Sequence, residues 1–185
     1  MALPTTPSQT IGPFFRIMLP LGSSELVPAG TAGAVQIEGT VTDGNGEPVN
    51  DALIEIWQAD AEGVYAHPDD PRSNGRSATF GFGRCLTDAQ GRYTFRTVGP
   101  GPVPGFDERM QAPHIAVSVL ARGLLRRLAT RIYFPDQEHA NASDPVLQSV
   151  PASRRSTLIG KPAGPGRLRF DIHLRGEGET VFFDI

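Results

Sequence analysis

Residues 34–60, AVQIEGTVTDGNGEPVNDALIEIWQAD, decide the fold. Val35, Ile37, Gly39 and Val41 fall two apart, so they share one face of an extended segment. Asp43-Gly44-Asn45-Gly46 follows, a cluster that tolerates positive φ and turns the chain into a second apolar run, ALIEIWQAD. The spacing predicts a core strand leading into another by a hairpin or a strand-to-strand connection.

The same signals recur on both sides. FGFGRCLTD and RYTFRTV flank the turn at residues 88–91, which predicts a second hairpin. The run GPGPVPG at 99–105 cannot maintain a ladder because proline lacks an amide donor, whereas HIAVSVLARG and RRLATRIYF beyond it read as central strands. Asp144 is placed to cap a helix of one or two turns with Pro145 at its first position. RLRFDIHL and TVFFD close the chain as further alternating segments. The expectation is an all-β chain, a β-sandwich of about eight strands with little helix. Residues 1–33 hold five prolines and no sustained period, so they read as an irregular N-terminal arm lying on this chain or another. The tail from Thr180 is too apolar to be free and should pair with a strand or pack against a partner. Trp57 and Phe80 are expected to fill the core, and Cys85 to behave as a small buried hydrophobe.

Composition agrees. A chain of 185 residues suits one domain, here 1–185, and glycine with proline supplies 38 of those residues, as short strands joined by turns require. Net charge is −3 with acids and bases interspersed, so neither nucleic acid nor an anionic membrane is indicated as a partner. One cysteine excludes an intrachain disulfide and a thiolate metal cage, and the cytoplasm is the simplest compartment. Nothing at the start has the make-up of a signal peptide.

The candidate metal donors are Tyr65, His67, His114, His139 and His173. An H-x-H pair on a strand can grip one ion, because residues two apart point the same way. Here the position two beyond His114 is Ala116, which has no donor, and the four histidines lie in different segments. On residues alone, His114 reads as a core histidine satisfied by backbone, and His67 and His139 as solvated loop residues. The Asp69-Asp70 pair reads as a solvated turn. No dinucleotide or phosphate-loop motif and no G-x-S-x-G is present.

Seven blocks in collinear order, TPSQTIGPFF, DGNGEPVNDALIEIWQADAEGVY, FGRCLTD, GRYTFRTVGPG, APHI, TRIYF and GEGETVFFDI, resemble the intradiol ring-cleaving dioxygenases, nearest to the metal-free chain of their two-chain members. The resemblance implies a β-sandwich from aromatic catabolism, in a family whose ferric ion is held by two tyrosinates and two histidines. Anionic phenolate oxygens suit such a hard ion. Tyr65 then matches the first ligand tyrosine and His114 the first ligand histidine, while Val103 stands at the second tyrosine, Ala116 at the second histidine and Gln111 at an arginine of catalytic chains. This chain is expected to hold no metal. The resemblance implies instead that Fe(III) sits in a homologous iron-binding β subunit, that αβ units assemble further, and that protocatechuate and O2 meet in a pocket between the chains. Thr10, Gly12, Pro13 and Arg131 are the positions it places at the substrate. Glycine permits close backbone approach, proline stiffens a wall, threonine offers a hydrogen bond and arginine a planar fork for a carboxylate.

Two other readings are open at this level. One is a self-sufficient homo-oligomer of the same family with an altered metal site. The other is a non-catalytic β-sandwich interaction module, which the strand pattern alone permits.

Overall fold

The computed structural model describes residues 23–73, 81–105 and 108–184, together with Thr10 and Gly12. Strand β1 (Ala34–Thr42) alternates as its sequence requires, with Ile37, Gly39 and Val41 buried between half-buried neighbours. It is the centre of the first sheet. β4 (Arg92–Val98) lies antiparallel on one side, from Ala34 opposite Val98 to Thr40 opposite Arg92. On the other side β10 (Arg167–Arg169) and β11 (Ile172–His173) run parallel to β1, and β9 (Lys161–Gly164) pairs antiparallel with β10. The second sheet is antiparallel throughout, in the order β3 (Phe82–Leu86), β2 (Leu53–Trp57), β7 (His114–Leu120), β8 (Leu128–Tyr133). β5 (Val103–Pro104) and β6 (Met110–Gln111) make a short separate ribbon. The β-sandwich is borne out: six of the expected eight segments form strands of five to nine residues, and the other five strands, β5, β6, β9, β10 and β11, are two- to four-residue pieces.

The two sheets close on one core. Ile37, Val41 and Phe95 from the first meet Ile54, Ile56, Ile115, Val117 and Ile132 from the second, all buried. Each such side chain contributes about 1.5–3 kcal/mol of burial. At Gly39 the backbone of residue 170 comes so close that an added Cβ would lie 1.8 Å from the Phe170 carbonyl oxygen. That carbonyl instead accepts the Tyr93 hydroxyl at 2.5 Å.

Both predicted turns form, but neither makes a hairpin. The 88–91 turn separates β3, which pairs with β2, from β4, which pairs with β1, so it carries the chain between sheets. The connection after β1 does the same. Asp43 Oδ1 accepts from the amides of Asn45 and Glu47, and Asp88 Oδ1 from those of Gln90 and Arg92. These are the local bonds the turn residues promised. The two corners then pack together, Val41 N donating to Gly91 O and Val49 N to Val41 O. RLRFDIHL is likewise not one strand. Asp171 interrupts it, and its Oδ1 accepts the Thr40 amide at 3.0 Å in place of a ladder carbonyl.

The described part of the arm lies on this chain: Glu25 bridges to Arg96 on the free edge of β4 and forms an ion pair with its guanidinium, and Val27 is buried. The tail does pair with a strand, through a single bridge in which Phe183 N donates to Ala129 O on β8 at 2.8 Å. Helices α1 (Glu138–Ser143) and α2 (Pro145–Ser149), followed by a 3-10 turn (Ala152–Leu158), form a second cluster in which Leu147, Val150 and Leu158 bury Tyr133. Asp144 caps α2 as its sequence implies, accepting Leu147 N at 2.6 Å. Among the described residues, no helix is long and apolar enough to cross a membrane.

Candidate functional site

The second sheet buries one face and turns the other outward. Period-two alternation sets which residues go where: Ile54 and Ile56 face the core, so Trp57 and Glu55 face out. Trp57 therefore is not core filling, contrary to the sequence expectation. It pairs across the sheet with Phe82 on β3 and Ala116 on β7, and Ala116 pairs with Arg131 on β8. The Tyr65 ring stacks on the Trp57 indole at 5.9 Å and 10°. Asp70 holds the loop that presents Tyr65, its Oδ2 accepting Tyr65 N at 3.0 Å while Arg72 pairs with the same carboxylate. The Arg72 hydrogen bonds keep Asp70 far below the usual carboxylate range, at about 2. Asp69-Asp70 thus does structural work on one side and faces solvent on the other.

These residues border an open cleft of about 930 Å³, walled by Trp57, Tyr65, Phe82, Val103 and Ala116, with Arg127 at its rim. Three of the four positions matched to metal ligands line it. The fourth, His114, is buried behind it, and its Nδ1 donates to the Ala112 carbonyl at 2.8 Å. Arg131 is half-buried near by, and its charge acts on both ligand-like groups. Burial pushes the Tyr65 hydroxyl up despite that charge. Burial first, and Arg131 second, pull His114 down to about 4.

These residues do not fit a ferric ion. Val103 and Ala116 offer only methyl groups where donors would be needed, and the guanidinium of Arg131 adds like charge. No group of three or more His, Cys, Asp or Glu able to hold a metal occurs among the described residues. His67 and His139 are exposed, and His173 shares a 2.8 Å hydrogen bond with Thr42 Oγ1 in the first sheet. The Cys85 thiol is half-buried, and burial raises its pKa, so it is no nucleophile.

The residues assigned to substrate do not all meet. Thr10 accepts a hydrogen bond from Gly123 N at 3.2 Å in the β7–β8 turn, and Gly12 has φ of +70°, a conformation that favours glycine. Arg131 sits further along the hairpin, paired with Ala116. Pro13 and Phe80 lie outside the described residues. Sequence reasoning missed that Gln111 and Tyr133 touch Arg131, at 2.6 and 3.4 Å from its Nη1. The shared face of Arg131 and Tyr133 was the available signal.

The buried neutral imidazole of His114 has a consequence for stability. In the unfolded chain it titrates near 6.5 and in the fold near 4, so below pH 6.5 the unfolded state binds the extra proton. Stability is full above about pH 6.5 and declines towards pH 4, by up to about 3 kcal/mol. Urea titrations across that window should show the decline, and His114→Gln should flatten it. An unchanged slope in the variant would assign the acid sensitivity elsewhere.

Comparison with known proteins agrees with this fold. The family model described as Dioxygenase matches residues 27–176. The chain belongs to the intradiol dioxygenase family. It is 43% identical to the protocatechuate 3,4-dioxygenase alpha chain of Burkholderia cepacia over 99% of this chain and 98% of that one. It is 36% identical to the beta chain from the same organism, over 79% of this chain and 66% of that one. Among solved structures it is similar to the dioxygenase domain of a dioxygenase carbohydrate-binding protein fusion from Streptomyces sp. SirexAA-E, with a TM-score of 0.60, 29% identity, and coverage of 92% of this chain and 98% of that one.

Proposed function

We propose that this chain is the α, non-iron subunit of a protocatechuate 3,4-dioxygenase. The observation that carries the reading is end-to-end similarity to an α chain combined with a cleft that retains Tyr65, with His114 buried behind it, but has Val103 and Ala116 where the other two donors would stand. The αβ complex cleaves protocatechuate with O2 between its hydroxyl-bearing carbons, giving 3-carboxy-cis,cis-muconate in cytoplasmic aromatic catabolism. The family's non-haem iron, which supplies the oxygen chemistry when bound, belongs to the homologous β chain. This chain's part is positional. Its arm, with Thr10, Gly12 and Pro13, walls the shared pocket, and Arg131 offers a cation to the substrate, so that binding energy is spent on orientation. Among the described residues, three large apolar side chains are exposed, Phe82 (36%), Met110 (53%) and Leu125 (64%), on the cleft wall, the β5–β6 ribbon and the β7–β8 turn; these supply apolar area for a β chain to cover.

Metal analysis and oxygen uptake test the reading, on this chain alone and co-expressed with a β chain. The lone chain should be colourless, iron-free and inactive, and the complex should be coloured and consume oxygen with protocatechuate. Stoichiometric iron with turnover in the lone chain would favour a self-sufficient enzyme. Failure of the chain to co-purify with a β chain, or to add turnover to it, would leave a non-catalytic interaction module.

A further inference from the structure

The charge on Arg131 is held in place by neutral groups. Its Nη1 donates to Gln111 Oε1 at 2.6 Å and lies 3.4 Å from the Tyr133 hydroxyl. The tyrosine proton goes to Asp144 Oδ1 at 3.0 Å, which leaves the oxygen lone pairs facing the guanidinium. Asp144 is fully buried, and its other oxygen accepts the amide of Ala112, the residue beside Gln111, at 2.8 Å. Both supports of Arg131 therefore run back to one capped helix start. Among the described residues, every hydrogen bond of Arg131 leaves from Nη1, and no carboxylate comes within ion-pair distance of it.

The choice of acceptor matters. A carboxylate at position 111 would bind the guanidinium more strongly but cancel its charge, and a second arginine there would repel it. The glutamine amide oxygen accepts one hydrogen bond and cancels nothing. We infer that Gln111 and Tyr133 are positioning residues for Arg131, fixing one amino group so that the rest of the fork presents an undiminished positive charge to the carboxylate of the aromatic substrate. This rests on the proposed αβ reading, in which Arg131 borders the substrate.

The test uses the αβ complex carrying Gln111→Glu, Gln111→Ala or Arg131→Ala. It reads KM and kcat for protocatechuate, and inhibition constants for 4-hydroxybenzoate and phenol, ring analogues with and without the carboxylate. Gln111→Glu should raise KM about tenfold with kcat changed less than twofold, weaken 4-hydroxybenzoate by the same factor and leave phenol unchanged. Gln111→Ala should give a smaller rise, about threefold, with iron content and melting midpoint unchanged. If Arg131→Ala raises KM while both Gln111 variants behave as the parent, the inference is overturned and the subunit reading stands. Equal weakening of both analogues overturns it too, because the charge would then not be aimed at the carboxylate. If Arg131→Ala itself changes nothing, the placement of Arg131 in the reading fails and takes the inference with it.

Discussion

Replacing Asp144 with alanine should cost about 4 kcal/mol of folding stability and lower the melting midpoint by roughly 10 °C. The side chain is fully buried and accepts three hydrogen bonds: from Leu147 N at 2.6 Å, from Ala112 N at 2.8 Å and from the Tyr133 hydroxyl at 3.0 Å. Removing it leaves two amides and a hydroxyl without partners in a region from which water is excluded, and an unpaired buried donor costs about 1–3 kcal/mol. The helix cap adds about 1 kcal/mol. Asp144→Asn should cost roughly half as much, because its single oxygen can still cap α2 while its amide group meets the Ala112 N–H donor to donor. Thermal melts of the three proteins check this ordering. An alanine variant as stable as the parent would mean that the three donors find other partners.

The second large effect is kinetic. Arg131→Ala, assembled with a β chain, should raise KM for protocatechuate by roughly thirtyfold, the equivalent of about 2 kcal/mol for a lost charge-assisted hydrogen bond. Iron content should not move, since this chain offers the metal no complete donor set. The stability cost should be small, because the guanidinium is half-buried, Gln111 is itself only half-buried, and the Tyr133 hydroxyl keeps its bond to Asp144. Loss of iron in this variant would show that Arg131 supports the metal site rather than the substrate. A lower kcat at unchanged KM would move its role from binding to the reacting state.

Much of the sandwich could be read from residue order, and the reason is local. A strand that buries one face must alternate, and β1, β4 and β7 do so. Which strand pairs with which was not legible. The Asx turns at Asp43 and Asp88 reverse the chain in the same way whether it returns within a sheet or crosses to the other, and only the packing of the two corners decides between them. The site was legible where chemistry depends on a missing atom. Val103 and Ala116 lack donors in any conformation. It was illegible where chemistry depends on contacts between segments: Trp57 carries the aromatic bulk of a core residue but has the outward parity of Glu55, and the 2.6 Å bond from Arg131 to Gln111 links β8 to a two-residue ribbon 20 positions earlier.

The parallel seam between β1 and the strands near the C-terminus sets an order of events during synthesis. Gln36 cannot meet Arg167, nor Val41 meet Ile172, until more than a hundred further residues have emerged. On a ribosome adding about 5–20 residues per second, that is several seconds in which β1 can be closed on the β4 side only. The nascent chain carries an open strand edge for all of that time, and an open edge templates association with other chains. Closure of the first sheet on that side is therefore among the last steps of folding, and it waits until residue 173 is free.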